Sequence, residues 1–251
     1  MSDAHSWDFP WSTSGPVVPY GATESEGTLN AAPKAVLLDI GMTIIHPSGR
    51  VMLDEIRADF PGHRATEQDC VAALVSAAEA RHLPLPHGLS GDEKVGVAWG
   101  ALLGLGRSQS LRIWQRVHRR QDLYSELDRE AEALFAGLRQ REVRVAAVSN
   151  GVGMLDGELR HYGIDRHFDL VIDSQDFGAE KPSPSIFLAA CSALDIPPHD
   201  CWFIGDGLVN DVLGASAAGV GAAFLYDRFG MHAKLPGIRR LSRLTEIFKE
   251  F

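Results

Sequence analysis

Apolar and polar positions fall in blocks along this chain. Four short runs rich in β-branched, aromatic or other apolar residues stand at 36–43, 143–148, 168–173 and 201–204. They are nearly continuous rather than alternating, the pattern of strands buried on both faces of a parallel sheet. Between and after them, 66–81, 111–120, 122–140 and 185–194 carry helix-forming, periodically apolar sequence. The pattern predicts an α/β fold, a Rossmann-like core with a mainly parallel sheet.

Each predicted strand ends in or leads to a polar group. Asp39 and Gly41 close the first, Ser149-Asn150-Gly151 the second, and Lys181-Pro182 follows the third; Gly205-Asp206 ends the fourth, with Asp211 shortly after. The C-terminal ends of parallel strands share one edge, so residues spread from 39 to 211 are expected to meet there.

About 110 positions separate Asp39 from Ser149, too many for a single crossover helix. An inserted helical module is therefore predicted over 47–124, with the core made of 34–46 and 125–251. The glycines at 100, 104 and 106 lack phosphate-loop spacing and mark a turn, and Lys94 reads as a solvated loop residue. Arg112, Arg116, Arg119 and Arg120 form a basic helix face, read either as solvated or as steering an anionic substrate.

The first 33 residues differ from the rest, with Trp7, Trp11, Pro10, Pro16 and Pro19 among many small polar residues. This reads as a flexible extension. The sharper alternative docks Trp7, Phe9, Trp11 and Tyr20 on the core or on a second subunit, which keeps a homo-oligomer open.

Composition narrows the partners. A net charge of -9 disfavours nucleic acid. No apolar run approaches the roughly 20 residues of a membrane span, and no basic-then-apolar leader opens the chain. Cys70, Cys191 and Cys201 show neither metal nor redox spacing. A soluble cytoplasmic protein is the expectation.

Asp39, Asp206 and Asp211 brought together would repel unless paired. A divalent cation resolves this, and oxygen ligands without a His or Cys cluster suit Mg2+, which accepts carboxylates together with substrate phosphate.

The four ordered motifs, Asp39-x-Gly41-x-Thr43, Ser149-Asn150-Gly151, Lys181-Pro182 and Gly205-Asp206 through Asn210-Asp211, resemble those of the haloacid dehalogenase-like hydrolase superfamily over roughly 34–227. The resemblance implies a phosphatase with a helical cap inserted after the first motif. It makes Asp39 the nucleophile that forms an aspartyl-phosphate, with Ser149 and Lys181 as catalytic partners. Thr43, Ser149, Asn150 and Lys181 would surround the phosphate of a small anionic phosphorylated substrate. Mg2+ would bind Asp39, the Gly41 backbone carbonyl and Asp206, with Asp211 as a further ligand or behind one.

Gly41 departs from the commonest pattern, in which an aspartate there serves as general acid and base. Such catalysis is typically worth about 10²- to 10⁴-fold, so phosphates with good leaving groups, sugar 1-phosphates among them, would suffer least. His46 is a candidate replacement donor, read otherwise as a linker histidine. Three further readings stay open: a metal-independent haloacid dehalogenase, a phosphonatase-like enzyme needing a cap lysine, for which only Lys94 is available, and a binding or regulatory protein that has lost turnover.

Overall fold

The computed structural model describes residues 31–84, 88–234 and 237–251. Most of the N-terminal extension, residues 1–30 with all its aromatic side chains, lies outside the described residues. The strands run β1 (Ala35–Leu38), β2 (Ile45–Pro47), β3 (Tyr124–Leu127), β4 (Arg144–Ser149), β5 (Leu170–Asp173), β6 (Cys201–Gly205), β7 (Ala222–Tyr226) and β8 (Arg239–Leu241). Six form one sheet in the order β5-β4-β1-β6-β7-β8, with every neighbouring pair parallel.

β1 is central because its side chains are apolar in both directions. Val36 and Leu38 pack with Leu134, Phe135 and Leu138 of the helix Ala131–Gln140, on one face. Ala35 and Leu37 pack on the opposite face with Ile186, Phe187 and Ala190 of the helix Pro184–Leu194. Successive side chains of a strand point to opposite faces, so one four-residue segment joins both layers. Burying each large apolar side chain contributes about 1.5–3 kcal/mol.

The sequence run at 36–43 is strand only as far as Leu38. The Asp39 amide continues the ladder, donating to the Ile204 carbonyl at 2.9 Å. The chain then folds back, with the amides of Thr43, Ile44 and Ile45 converging on the Ile40 carbonyl at 3.3, 2.9 and 2.9 Å. A carboxylate thus stands at the sheet edge, directly before a tight turn.

Between β2 and β3 the chain builds a helical insertion. Its helices Gly49–Asp59, Glu67–Ala77, Gly91–Leu102 and Arg107–His118 enclose their own apolar cluster around Met52, Ile56, Leu74, Trp99, Ile113 and Trp114. Trp99 Nε1 donates to the Cys70 carbonyl at 3.1 Å, which satisfies its polar atom within that cluster. Lys94, expected in a loop, lies in the helix Gly91–Leu102, whose start is set by the reciprocal Ser90 and Glu93 capping box. The basic face is largely consumed by ion pairs: Arg112 and Arg116 bind Asp59, Arg116 and Arg120 bind Glu55, and Arg120 also binds Asp122. These pairs tie two insertion helices together.

The expected continuous helix at 122–140 is divided. Tyr124–Leu127 is extended as β3 and pairs antiparallel with β2, so the chain enters and leaves the insertion through a two-stranded neck. Asp128 makes the break. Its amide donates to the Ile44 carbonyl at 2.8 Å, and its carboxylate accepts from the Glu130 amide at 2.8 Å just before the helix begins. Local hydrogen bonding by aspartate competes with helix continuation.

Asp128 also holds the neck to the core. Its Oδ2 lies 2.8 Å from His46 Nε2 and accepts from the Tyr226 hydroxyl at 2.7 Å. Burial by itself would raise this carboxyl; the His46 and Tyr226 contacts outweigh it and hold it below the ordinary carboxylate range. Stability from this group is therefore present above the unfolded-state value of about 3.9 and is lost as pH falls through the lower folded value. Asp128→Asn is expected to reduce stability at neutral pH by about 1–3 kcal/mol. In denaturant titrations the difference from wild type should stay constant above about pH 5 and shrink below about pH 4; a difference independent of pH would show that the charge is not what holds the neck.

Candidate active site

The ends of β1, β4 and β6 and the loop after β5 place the four sequence motifs around one buried ammonium. Lys181 Nζ donates to Asp39 Oδ1 at 2.5 Å and to Asp211 Oδ1 at 2.7 Å, and all three residues are buried. Burial alone would lower the Lys181 pKa, but Asp211 and Asp39 more than reverse that and hold it above its ordinary value. It is a permanent cation here.

One cation does not balance the site. Asp39, Asp206 and Asp211 each offer a carboxylate oxygen, and these atoms lie within 4.8 Å of one another. Burial raises the Asp39 carboxyl to about 6, Lys181 opposing the rise and Asp211 adding to it. Asp206 is pushed well above the ordinary range by burial and then by Asp39 and Asp211. Three carboxylates against one ammonium leave two negative charges uncompensated in a low-dielectric setting. The set of hard oxygens fits a divalent cation, with no histidine or cysteine in the cluster.

Hydroxyls and backbone position these charges. Thr43 is fully buried, and its hydroxyl lies 3.2 Å from Asp39 Oδ2 and 3.5 Å from Asp206 Oδ1. That contact suits orienting the carboxylates. Ser149 Oγ lies 3.5 Å from Asp39 Oδ1, at the end of β4. Asn150 is committed to the Lys181 main chain: its Oδ1 accepts from the Lys181 amide at 2.8 Å and its Nδ2 donates to the Lys181 carbonyl at 2.9 Å. This double bond pair holds the loop that carries the ammonium. Asp211 Oδ2 accepts from the Gly207 amide at 2.8 Å.

His46 is brought near the site but not freed for it. Its ring is buried, with Nε2 on Asp128, and it lines a small crevice with Met42, Val71, Asp206, Tyr226 and Phe229. An open depression on the insertion, lined by His63, Asp69 and Leu103 among others, includes none of Asp39, Lys181, Asp206 and Asp211.

Several contributors escape sequence reasoning. A Cβ on Gly205 would stand 2.3 Å from Asp211 Oδ2, so only glycine lets that carboxylate lie against β6. Asp173, ending β5, accepts from the amides of Gly153, Leu155 and Gln175 at 2.9, 3.3 and 3.0 Å and so fastens the loop after Ser149. Glu79 of the insertion accepts from the Val209 amide at 3.2 Å, touching the short helix Leu208–Leu213 that carries Asp211. Tyr124 covers Gly41, with its Cε1 3.9 Å from where a Cβ would stand. Only Gly205, beside a strand-end aspartate, had a visible signal.

Comparisons with known proteins agree with this architecture. The model of the haloacid dehalogenase-like hydrolase family matches residues 33–219. Phosphoserine phosphatase of Thermus thermophilus is 37% identical over 137 residues, 53% of this chain and 53% of that protein. Human N-acylneuraminate-9-phosphatase is 32% identical over 106 residues, 42% of each chain. Glyceraldehyde 3-phosphate phosphatase of Methanopyrus kandleri is 36% identical over 84 residues, 33% of this chain and 36% of the other. The matches span about half or less of the length of these curated relatives. Among solved structures, a putative HAD-hydrolase of Bacillus subtilis bound to magnesium has a TM-score of 0.62 at 21% identity, covering 87% of this chain and 98% of that one. An L-2-haloacid dehalogenase has a TM-score of 0.59 at 18% identity, covering 87% of this chain and 98% of its own. At those identities the structures share the fold. With the ordered motifs meeting at one sheet edge and the family model spanning most of its length, this chain belongs to the haloacid dehalogenase-like hydrolases.

Proposed function

We propose that this protein is a magnesium-dependent phosphatase that hydrolyses a small-molecule phosphate ester through an aspartyl-phosphate on Asp39. The observation that carries the reading is the buried cluster of three carboxylates around a single lysine. Its surplus negative charge asks for a divalent cation, and a cation together with Lys181 supplies the positive surroundings that a phosphoryl group requires. The names of the relatives, phosphatases of phosphoserine, glyceraldehyde 3-phosphate and N-acylneuraminate 9-phosphate, support a small phosphorylated metabolite.

In this reading a carboxylate oxygen of Asp39 attacks phosphorus, and the bond to the leaving oxygen breaks. Water then hydrolyses the aspartyl-phosphate, returning Asp39 and releasing phosphate. Lys181 stays charged throughout and offsets charge on Asp39 and on the transferring group. Ser149 donates its hydroxyl to a phosphoryl oxygen, while Asn150 keeps the Lys181 main chain in place. Asp39, the Gly41 carbonyl and Asp206, with Asp211 beside them, would hold magnesium, which would supply charge neutralisation for the phosphoryl oxygens. The helical insertion acts as the cap: Glu79 joins it to the loop at Val209, which suits exclusion of water and choice of substrate. Among the described residues no helix is long and apolar enough to cross a membrane, and a cytoplasmic setting is part of the proposal.

Asp39→Asn is expected to abolish phosphate release while leaving circular dichroism and thermal unfolding close to wild type; turnover by the folded variant would remove Asp39 as nucleophile. A panel of phosphorylated metabolites, assayed with magnesium and again with chelator, tests the reaction class. Full activity with chelator on a chlorinated acid would favour a dehalogenase instead.

The metal is open to test without turnover. Magnesium at about 100 times its Kd is expected to stabilise wild type by about 2.7 kcal/mol. Asp206→Asn removes a carboxylate that its neighbours and burial disfavour, so the metal-free variant should unfold no more easily than wild type yet gain little from magnesium. An equal magnesium gain in the variant would take Asp206 out of the ligand set.

A further inference from the structure

Position 41 raises a question that the rest of the site leaves unanswered, namely where the leaving group obtains a proton. The glycine itself does not exclude a side chain. A Cβ there would meet only Tyr124, at 3.9 Å, an ordinary van der Waals contact. A side chain starting at position 41 would therefore stand against the Tyr124 ring. His46, two positions past Ile44, is engaged by Asp128 and buried.

Tyr124 is held where it stands by the neck. It opens β3 opposite Pro47 of β2, and its carbonyl accepts from the Tyr162 hydroxyl at 2.7 Å. The residue keeps 38% of its surface exposed, in contrast to the buried carboxylates of Asp39 and Asp211. Burial of the phenol, then Asp206 and then Asp39, raise its pKa, so the hydroxyl shares the field of the core carboxylates. The hydroxyls of Tyr162 and Tyr226 both have acceptors. Among the described residues the Tyr124 hydroxyl meets none.

We propose that Tyr124 takes the place of the carboxylate missing at position 41, its phenol donating to the leaving-group oxygen of a phosphate ester seated on Asp39. The inference rests on the phosphatase reading. In the first step the Asp39 oxygen forms a bond to phosphorus, the bond from phosphorus to the leaving oxygen breaks, and its electron pair takes the phenolic proton, releasing the alcohol. In the second step water attacks the aspartyl-phosphate, and one of its protons returns to the phenolate as phosphate and the Asp39 carboxylate separate. Protons balance over the cycle. A phenol is a weaker acid than a carboxylic acid but a stronger one than an alkyl alcohol, so its help is largest for alkyl phosphates and smallest where the leaving group departs as a stable anion.

Tyr124→Phe tests this with the full chain, because it removes the hydroxyl and keeps the ring against Gly41. The readout is the ratio of kcat for an alkyl phosphate to kcat for p-nitrophenyl phosphate, with KM followed separately. The ratio is expected to fall about 10²-fold, the fall residing in kcat. Gly41→Asp in the Tyr124→Phe background should restore most of the alkyl-phosphate rate, since a Cβ at position 41 meets nothing closer than an ordinary van der Waals contact. Gly41→Asp in the wild-type background should raise that rate much less. An equal loss on both substrates, or a large gain from Gly41→Asp with Tyr124 intact, would overturn the assignment to Tyr124 and leave the phosphatase reading standing. Wild-type inactivity on both phosphates would overturn the phosphatase reading, and this inference with it.

Discussion

The ammonium of Lys181 between Asp39 and Asp211 is the contact on which the rest of the site depends. Removing two carboxylates from water is costly, and leaving either without its partner would expose the full desolvation penalty of a buried charge. The surrounding structure serves this pairing. The parallel register of β1 with β4 and β6 brings Asp39 beside Ser149 and Asp206. Asn150 fixes the Lys181 main chain at both its amide and its carbonyl. Gly205 allows Asp211 to approach more closely than any other residue type permits.

The same pairing is incomplete by design of its charges. Lys181 hydrogen-bonds two of the three carboxylates, and among the described residues Asp206 has the more distant charge of Lys181, the long Thr43 contact and its own backbone surroundings to favour ionisation against burial, Asp39 and Asp211. A site with surplus buried negative charge is organised to receive positive charge from outside the chain. Its roof comes from elsewhere in the sequence: the neck between core and insertion places Tyr124 over Gly41, and Glu79 of the insertion touches the short helix Leu208–Leu213 that carries Asp211. Core and insertion meet at two short strands, and Asp128 with His46 and Tyr226 stiffens that joint.

Much of the fold was legible in sequence for a simple reason. Strands buried on both faces must be continuously apolar, which made β1, β4 and β6 legible, while β5, half-buried at the sheet edge, showed as a short β-rich run. Helix limits were less legible where tertiary pairing overrode local preference. Residues 122–140 carry good helix formers, yet β3 forms because β2 offers a partner and Asp128 interrupts the helix with its own hydrogen bonds. Lys94 was misplaced for the opposite reason: the capping box of Ser90 and Glu93 begins a helix where Gly91 suggested a loop. The basic face over 112–120 looked available for an anion, and its ion pairs with Glu55 and Asp59 could not be foreseen because those partners lie on another helix.

By itself the sequence determined the family, the parallel core, the existence of an insertion and the placing of Asp39, Ser149, Lys181, Asp206 and Asp211 at one sheet edge, because motif order and strand-end position are local properties of the chain. Only the tertiary structure decided what each charge faces. That Lys181 bridges Asp39 and Asp211, that Asn150 holds the Lys181 backbone, that His46 is engaged by Asp128, and that Tyr124 stands over Gly41 all depend on distances between segments far apart in sequence. Electrostatic and hydrogen-bonding roles are set by such distances over a few ångströms, and residue types alone do not carry them.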